Sequence, residues 1–168
     1  TLSQKVYDAT LDLEEKNLKL IESVYNFEDI FNTTMEMIVI FDDEGTIIDI
    51  NRSGLKMLGY YYKSEVVGTK ISKHILESEL SKVYEDLSMD THEPYELIIL
   101  KRDGSQLHTL KGSRRIVRGG KKVWLSTLMD LTEMRQKNRH LIQQSKMAAM
   151  GEMIENIAHQ WRQPLNTL

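Results

Sequence analysis

The 168-residue chain has no cysteine and only two prolines, and no glycine before Gly45. Without cysteine there are no disulfides, no thiolate metal sites and no cysteine-based redox or photochemistry. No apolar run approaches the ~20 residues a membrane helix needs, and no signal peptide is visible. A net charge of −3 gives no case for general nucleic-acid binding. With 40% hydrophobic and 28% charged residues the composition is that of an ordinary globular protein. The chain starts at Thr1 inside helical sequence and stops uncapped at Leu168, so it reads as a piece of a longer protein.

What is present falls into three parts, with expected bounds 1–30, 31–131 and 132–168. In the first, Leu2, Val6, Ala9, Leu13, Leu20, Val24 and Phe27 follow heptad spacing, broken at Lys16. That is a helix with a narrow apolar seam, suited to a parallel coiled coil. The same pattern also fits a helix lying on its own domain.

From Met37 the period changes. Met37–Phe41 and Thr46–Ile50 flank Asp42-Asp43-Glu44-Gly45, the pattern of a hairpin. A short helix over Arg52–Leu58 stops at Gly59. Leu76, Leu80, Val83 and Leu87 step four, three and four, which predicts an amphipathic helix. Strands are expected over Tyr95–Leu100, Gln106 to about Val117, and Lys122–Met129. The tight turns between them predict an antiparallel sheet with helices on one face, an α+β fold. The basic run Lys111, Arg114, Arg115, Arg118, Lys121 and Lys122 is expected on the solvated face of a hairpin.

Several short motifs in this middle part, in this order, are Ile50-Asn51-Arg52, Met57-Leu58-Gly59-Tyr60, Glu65-Val66-Val67-Gly68, Lys101-Arg102-Asp103-Gly104 and Met129-Asp130-Leu131-Thr132-Glu133. Together they resemble PAS sensor domains. The resemblance implies a five-stranded antiparallel sheet cupping a small cavity, and dimers flanked by signalling helices. It also implies that Asp130, Thr132 and Glu133 couple the last strand to an output helix. It does not identify a ligand. A cysteinyl flavin is excluded by composition. A haem is not expected either: the axial position of haem-binding relatives falls near Val83–Tyr84, whereas His74 precedes that helix, His92 follows it and His108 lies on a strand. These three are expected to be surface or packed histidines.

The last part opens at Asp130, a possible cap, with Glu133 placed to reach back to it. Met134, Leu141 and Ala148 continue a heptad, and the stripe then broadens through Met147, Met150, Ile154, Ile157 and Trp161. A two-stranded coil opening into a four-helix bundle has this shape. At ~100° per residue His159 lies about 200° from both Ile157 and Trp161, so a helix burying that stripe turns the imidazole to water. Glu155 sits one turn before it and Arg162 nearly one turn after. Pro164 cannot donate to the carbonyl of Gln160, which predicts a kink or hinge just past the histidine.

The run Met147–Met153 followed by Ile157-Ala158-His159-Gln160-Trp161-Arg162-Gln163-Pro164-Leu165 resembles the phosphoacceptor box of sensor histidine kinases of two-component systems. The resemblance implies that His159 takes a phosphoryl group from ATP and Mg bound on a separate catalytic domain, then passes it to an aspartate of a response-regulator receiver domain. Gln160 departs from the usual Glu or Asp. It can orient the ring but cannot take its proton, leaving Glu155 as a possible helper and Arg162 to hold the incoming anion. The expected protein is therefore a cytoplasmic, homodimeric segment of a histidine kinase, with a possible small-molecule ligand in the PAS cavity. This segment holds no ATP-binding domain, so alone it should be inactive. The alternative is a non-enzymatic PAS module whose last helix only transmits motion.

Overall fold

The structure, a computed structural model, describes residues 1–89 and 92–166, the side chains of 163–166 excepted. It divides into two compact units, Thr1–Asp130 and Leu131–Leu168.

The first unit begins with α1 (Leu2–Thr33), uninterrupted because nothing in it breaks a helix, and capped by Thr1, whose hydroxyl accepts from Gln4 N. Residues 1–30 are all exposed; only Phe31 is buried. The helix therefore does not lie along its own domain, and its seam is uncovered in the single chain. It runs three residues past the expected bound, to Thr33.

The sheet contains β1 (Met37–Phe41), β2 (Ile47–Ile50), β3 (Tyr95–Leu100), β4 (Gln106–Arg118) and β5 (Lys121–Asp130). It is fully antiparallel, in the order β2-β1-β5-β4-β3. The β1–β2 turn is set by Asp42, whose Oδ1 accepts from the backbone N–H of Glu44 and Thr46, and by Gly45 at φ +77°. Helix α2 (Arg52–Leu58) is stopped by left-handed Gly59, as its sequence predicts, and the structure shows Asn51 as its N-cap. Three short 3-10 turns follow, at Lys63–Glu65, Ile71–His74 and Glu77–Glu79, and then α3 (Leu80–Ser88).

Helix α3 starts four residues later than the Leu76 spacing predicts. Leu76 N donates to Ile98 O and Ile75 bridges Ile99, so this segment is held in extended form against the edge of β3. Sheet pairing overrides the helical period there.

The core lies between one sheet face and the helices. Met37, Val39 and Phe41 of β1, Leu97 and Ile99 of β3, and Trp124 and Leu128 of β5 point to it and are covered by Leu58, Val66, Ile75 and Val83. Each such burial contributes roughly 1.5–3 kcal/mol. The opposite face is shorter: Ile40 and Val123 pack with Phe31, which anchors the end of α1 to the sheet. The second unit is α4 (Thr132–Asn166), a continuous helix that starts two residues after β5 ends. Among the described residues no helix is long and apolar enough to cross a membrane.

Candidate functional site

Helix α4 carries the residues singled out for phosphoryl chemistry. His159, Glu155, Gln160 and Arg162 are all exposed. Met147, Met150, Ile154, Ile157 and Trp161 are exposed as well, so in the single chain neither face of the helix is covered. Among the described residues no hydrogen bond or ion pair joins His159 to Glu155 or Arg162. The kink expected at Pro164 depends on a side chain outside the described residues. At the start of the helix, Glu133 pairs with Lys137 Nζ at 2.8 Å, which lowers the pKa of its carboxyl through that hydrogen bond and charge. Asp130 ends β5 opposite Thr109, and Thr132 is the first residue of α4.

The PAS-like unit contains a cavity of about 40 Å³ between sheet and helices. Its walls are apolar, Phe41, Ile50, Leu97 and Leu128 among them, with three polar side chains: His74, Lys111 and Ser126. His74 Nε2 is 2.8 Å from Thr69 Oγ1. That hydroxyl donates its own proton to Val66 O at 2.6 Å, so it receives the imidazole N–H. Burial, with the Lys73 charge second, pushes the pKa of His74 down to about 4, and the ring is neutral. Its edge meets Tyr60, with centroids 5.7 Å apart. His74 is thus a packed histidine, one of the two kinds expected.

Lys111 corrects the sequence reading. It is 3% exposed, not part of a solvated basic face. The inward register of β4, which buries Leu107 and Thr109, also turns Lys111 and Ser113 toward the core. Lys111 Nζ donates to Asp86 Oδ2 of α3 at 3.1 Å and to Ser113 Oγ, and lies 5.1 Å from the centroid of the Tyr95 ring. Burial lowers its pKa while Asp86 opposes that shift. Ser113 in turn bonds Ser126 at 2.9 Å. The second oxygen of Asp86 is 3.1 Å from His92 Nδ1, and the His92 ring meets Trp124 edge-on at 5.0 Å. Among the described residues the buried Tyr95 hydroxyl has no hydrogen-bond partner, and burial, then the Asp86 charge, raises its pKa. The signal for this cluster was the inward parity of Lys111 along β4 together with Asp86 on the buried side of α3.

The rest of the basic run is exposed, as expected. Arg115 pairs with Asp43 and stacks on Trp124, and Arg118 reaches Asp49 at 3.2 Å.

A family profile described as PAS domain matches residues 35–133, more than half of the chain. The chain belongs to the PAS domain family. Over 160 residues this PAS chain is 24% identical to sporulation kinase E of Bacillus subtilis (strain 168), a match that covers 94% of the chain. The chain spans 21% of the length of that kinase. Among solved structures, the PAS domain of an HTR-like protein from Haloarcula marismortui superimposes with a TM-score of 0.60 at 26% identity, covering 70% of this chain and 98% of that one. A domain of a sensory box sensor histidine kinase/response regulator from Geobacter sulfurreducens gives 0.53 at 18% identity, covering 66% and 96%, and shares the fold.

Proposed function

We propose that this PAS chain is the signal-receiving and phosphoacceptor segment of a sensor histidine kinase. The observation that carries the reading is chain continuity: β5 of the PAS sheet ends at Asp130, and an unbroken helix from Thr132 leads to His159, exposed within His159-Gln160-Trp161-Arg162. Similarity to sporulation kinase E over nearly the whole chain supports it.

In this reading a neutral ring nitrogen of His159 attacks the terminal phosphorus of ATP. The bond to the bridging oxygen breaks, and ADP leaves. ATP and Mg are held by a separate catalytic domain. The second ring nitrogen must be held by an acceptor that supports the positive charge formed; Glu155 one turn earlier and the Gln160 carbonyl are the candidates. Arg162 holds the incoming phosphate, and Pro164 supplies a hinge. The phosphoryl group then moves to an aspartate of a receiver domain. Two chains associate through the seam of α1 and the stripe Met147–Trp161, since contiguous apolar faces of this kind need covering.

The signal enters at the PAS unit and leaves through Asp130, Thr132 and Glu133. A ligand that favours one of two arrangements a few kcal/mol apart shifts the presentation of His159. A cavity of about 40 Å³ is far below the ~300–1,000 Å³ of drug-sized sites, so a ligand held there is a small molecule rather than haem or flavin.

Incubating the chain with the kinase's catalytic domain and labelled ATP tests the reading. Label on the native chain and none on His159→Ala supports it. Equal labelling of both, or of neither, overturns it in favour of a module that only transmits motion.

A further inference from the structure

The cavity of the PAS unit has a wall that offers no hydrogen bond. Among the described residues every atom facing it is apolar, although His74, Lys111 and Ser126 contribute to the lining. These three meet the space through carbon, because their polar atoms are turned to partners elsewhere. His74 Nε2 is bonded to Thr69, Lys111 Nζ to Asp86 and Ser113, and Ser126 Oγ to Ser113. Every lining residue is less than a tenth exposed, so the space is internal. At about 40 Å³ it has room for a water molecule, but a buried water needs ~2–4 polar partners and finds none on this wall.

The same argument sorts ligands. An ion, an alcohol, a carbonyl compound or an amide entering the cavity would give up its hydrogen bonds to water and gain none. A nonpolar molecule gives up none. Leaving water favours it, and inside it supplies the dispersion contacts that the wall lacks across a void. Size narrows the class. An apolar cavity of about 150 Å³ holds benzene, or ~25 Å³ per heavy atom, so about 40 Å³ holds roughly two.

Resting on the sensory reading of the cavity given above, we propose that this PAS unit binds a nonpolar molecule of about two heavy atoms, a diatomic gas or a two-carbon hydrocarbon. It is held by shape and dispersion alone. Its contacts are Val83 of α3, Leu97 and Ile99 of β3, and Leu128 of β5. Leu128 lies two residues before Asp130, where β5 ends and the chain turns into α4. Occupancy therefore bears on the strand that leads to the output helix.

The test is a titration of the purified chain with dissolved ethane, dioxygen and methanol, following the methyl resonances of Ile50, Ile99 and Leu128 by NMR. Ethane and methanol have the same number of heavy atoms and differ in polarity. Ethane or dioxygen is expected to act saturably on these methyls at lower concentration than methanol, and the tighter of the two names the source. Val83→Ile and Val39→Ile each add one methylene to the wall, from the helix side and from the sheet side. At least one of them is expected to weaken ethane by about fivefold or more. Ser126→Ala removes a hydroxyl that does not face the cavity and is expected to change ethane binding by less than about twofold. Methanol binding more tightly than both gases, or a loss of about fivefold in Ser126→Ala, overturns the ligand class and leaves the cavity reading standing. Unchanged ethane binding in both valine variants overturns the placement of the ligand in this cavity. No saturable change with any of the three probes on the native chain overturns the ligand class and the cavity reading together. Labelling of His159 is read separately and depends on none of these results.

Discussion

Lys111 of β4 and Asp86 of α3 form an ion pair inside the PAS unit, Nζ to Oδ2 at 3.1 Å, with both side chains at least nine-tenths removed from solvent. Breaking such a pair leaves a buried charge without a partner, which costs more than the pair itself contributes. Lys111→Met alone, or Asp86→Leu alone, is expected to lower unfolding free energy by about 3–5 kcal/mol. The double replacement is expected to recover most of that loss. Urea denaturation of the four proteins completes the cycle, and additive losses would contradict a coupled pair.

Asn51, the N-cap of α2, is a second buried polar side chain of the PAS unit. Its side-chain amide donates to Phe31 O at 2.8 Å and Glu36 O at 2.9 Å; its carbonyl accepts from Ile38 N and Gly54 N, both at 2.9 Å. One buried side chain thus joins the end of α1, the start of β1 and the first turn of α2. Asn51→Ala is expected to cost about 2–4 kcal/mol. It should also speed amide exchange at Ile38 and Gly54, measured by NMR; unchanged exchange at both would show that the amide is not what holds the α1 junction.

Gly54 sets two effects against each other. In the first turn of α2 alanine is favoured over glycine by at most the helix-interior value of about 1 kcal/mol. A methyl there would meet Ile50 Cγ1 at 2.6 Å and Met37 Cγ at 2.8 Å, and overpacking costs typically about 1–3 kcal/mol. Contact this short, against two core side chains, decides the balance. Gly54→Ala is expected to lower the thermal midpoint, and a raised midpoint would show that Met37 and Ile50 can give way.

His74 makes stability depend on pH. Folding moves its pKa from 6.5 to about 4, so the unfolded chain takes up the proton first as pH falls. The contribution of the neutral ring is complete above pH 6.5, falls between 6.5 and about 4, and is gone below that. Its size is about 3 kcal/mol. His74→Gln should flatten this part of the stability–pH curve, measured by urea midpoints at pH 7 and pH 4.5. A slope as steep as that of the native chain would assign the dependence to another group.

The fold was legible wherever local chemistry and tertiary packing agree. The Asp42–Gly45 turn, the Gly59 stop and the strands on either side of the Gly119-Gly120 turn each determine their own surroundings. Leu76 was misread because four apolar residues at helical spacing do not reveal that an edge strand is waiting for one of them. Lys111 was misread because a cation in a basic run looks solvated until its parity on β4 is set against Asp86, 25 residues earlier. For His159 the sequence shows the helix and the neighbours at one turn's distance. The stripe Met147–Trp161 is exposed in the single chain.

The most direct test of the account is where the phosphoryl group resides. The chain is incubated with ATP, Mg and a histidine-kinase catalytic domain, quenched at alkaline pH, digested, and mapped by tandem mass spectrometry over its five histidines. The account predicts phosphoryl on His159 alone, lost in His159→Ala. Phosphoryl found instead on His140, or retained after that substitution, would contradict it.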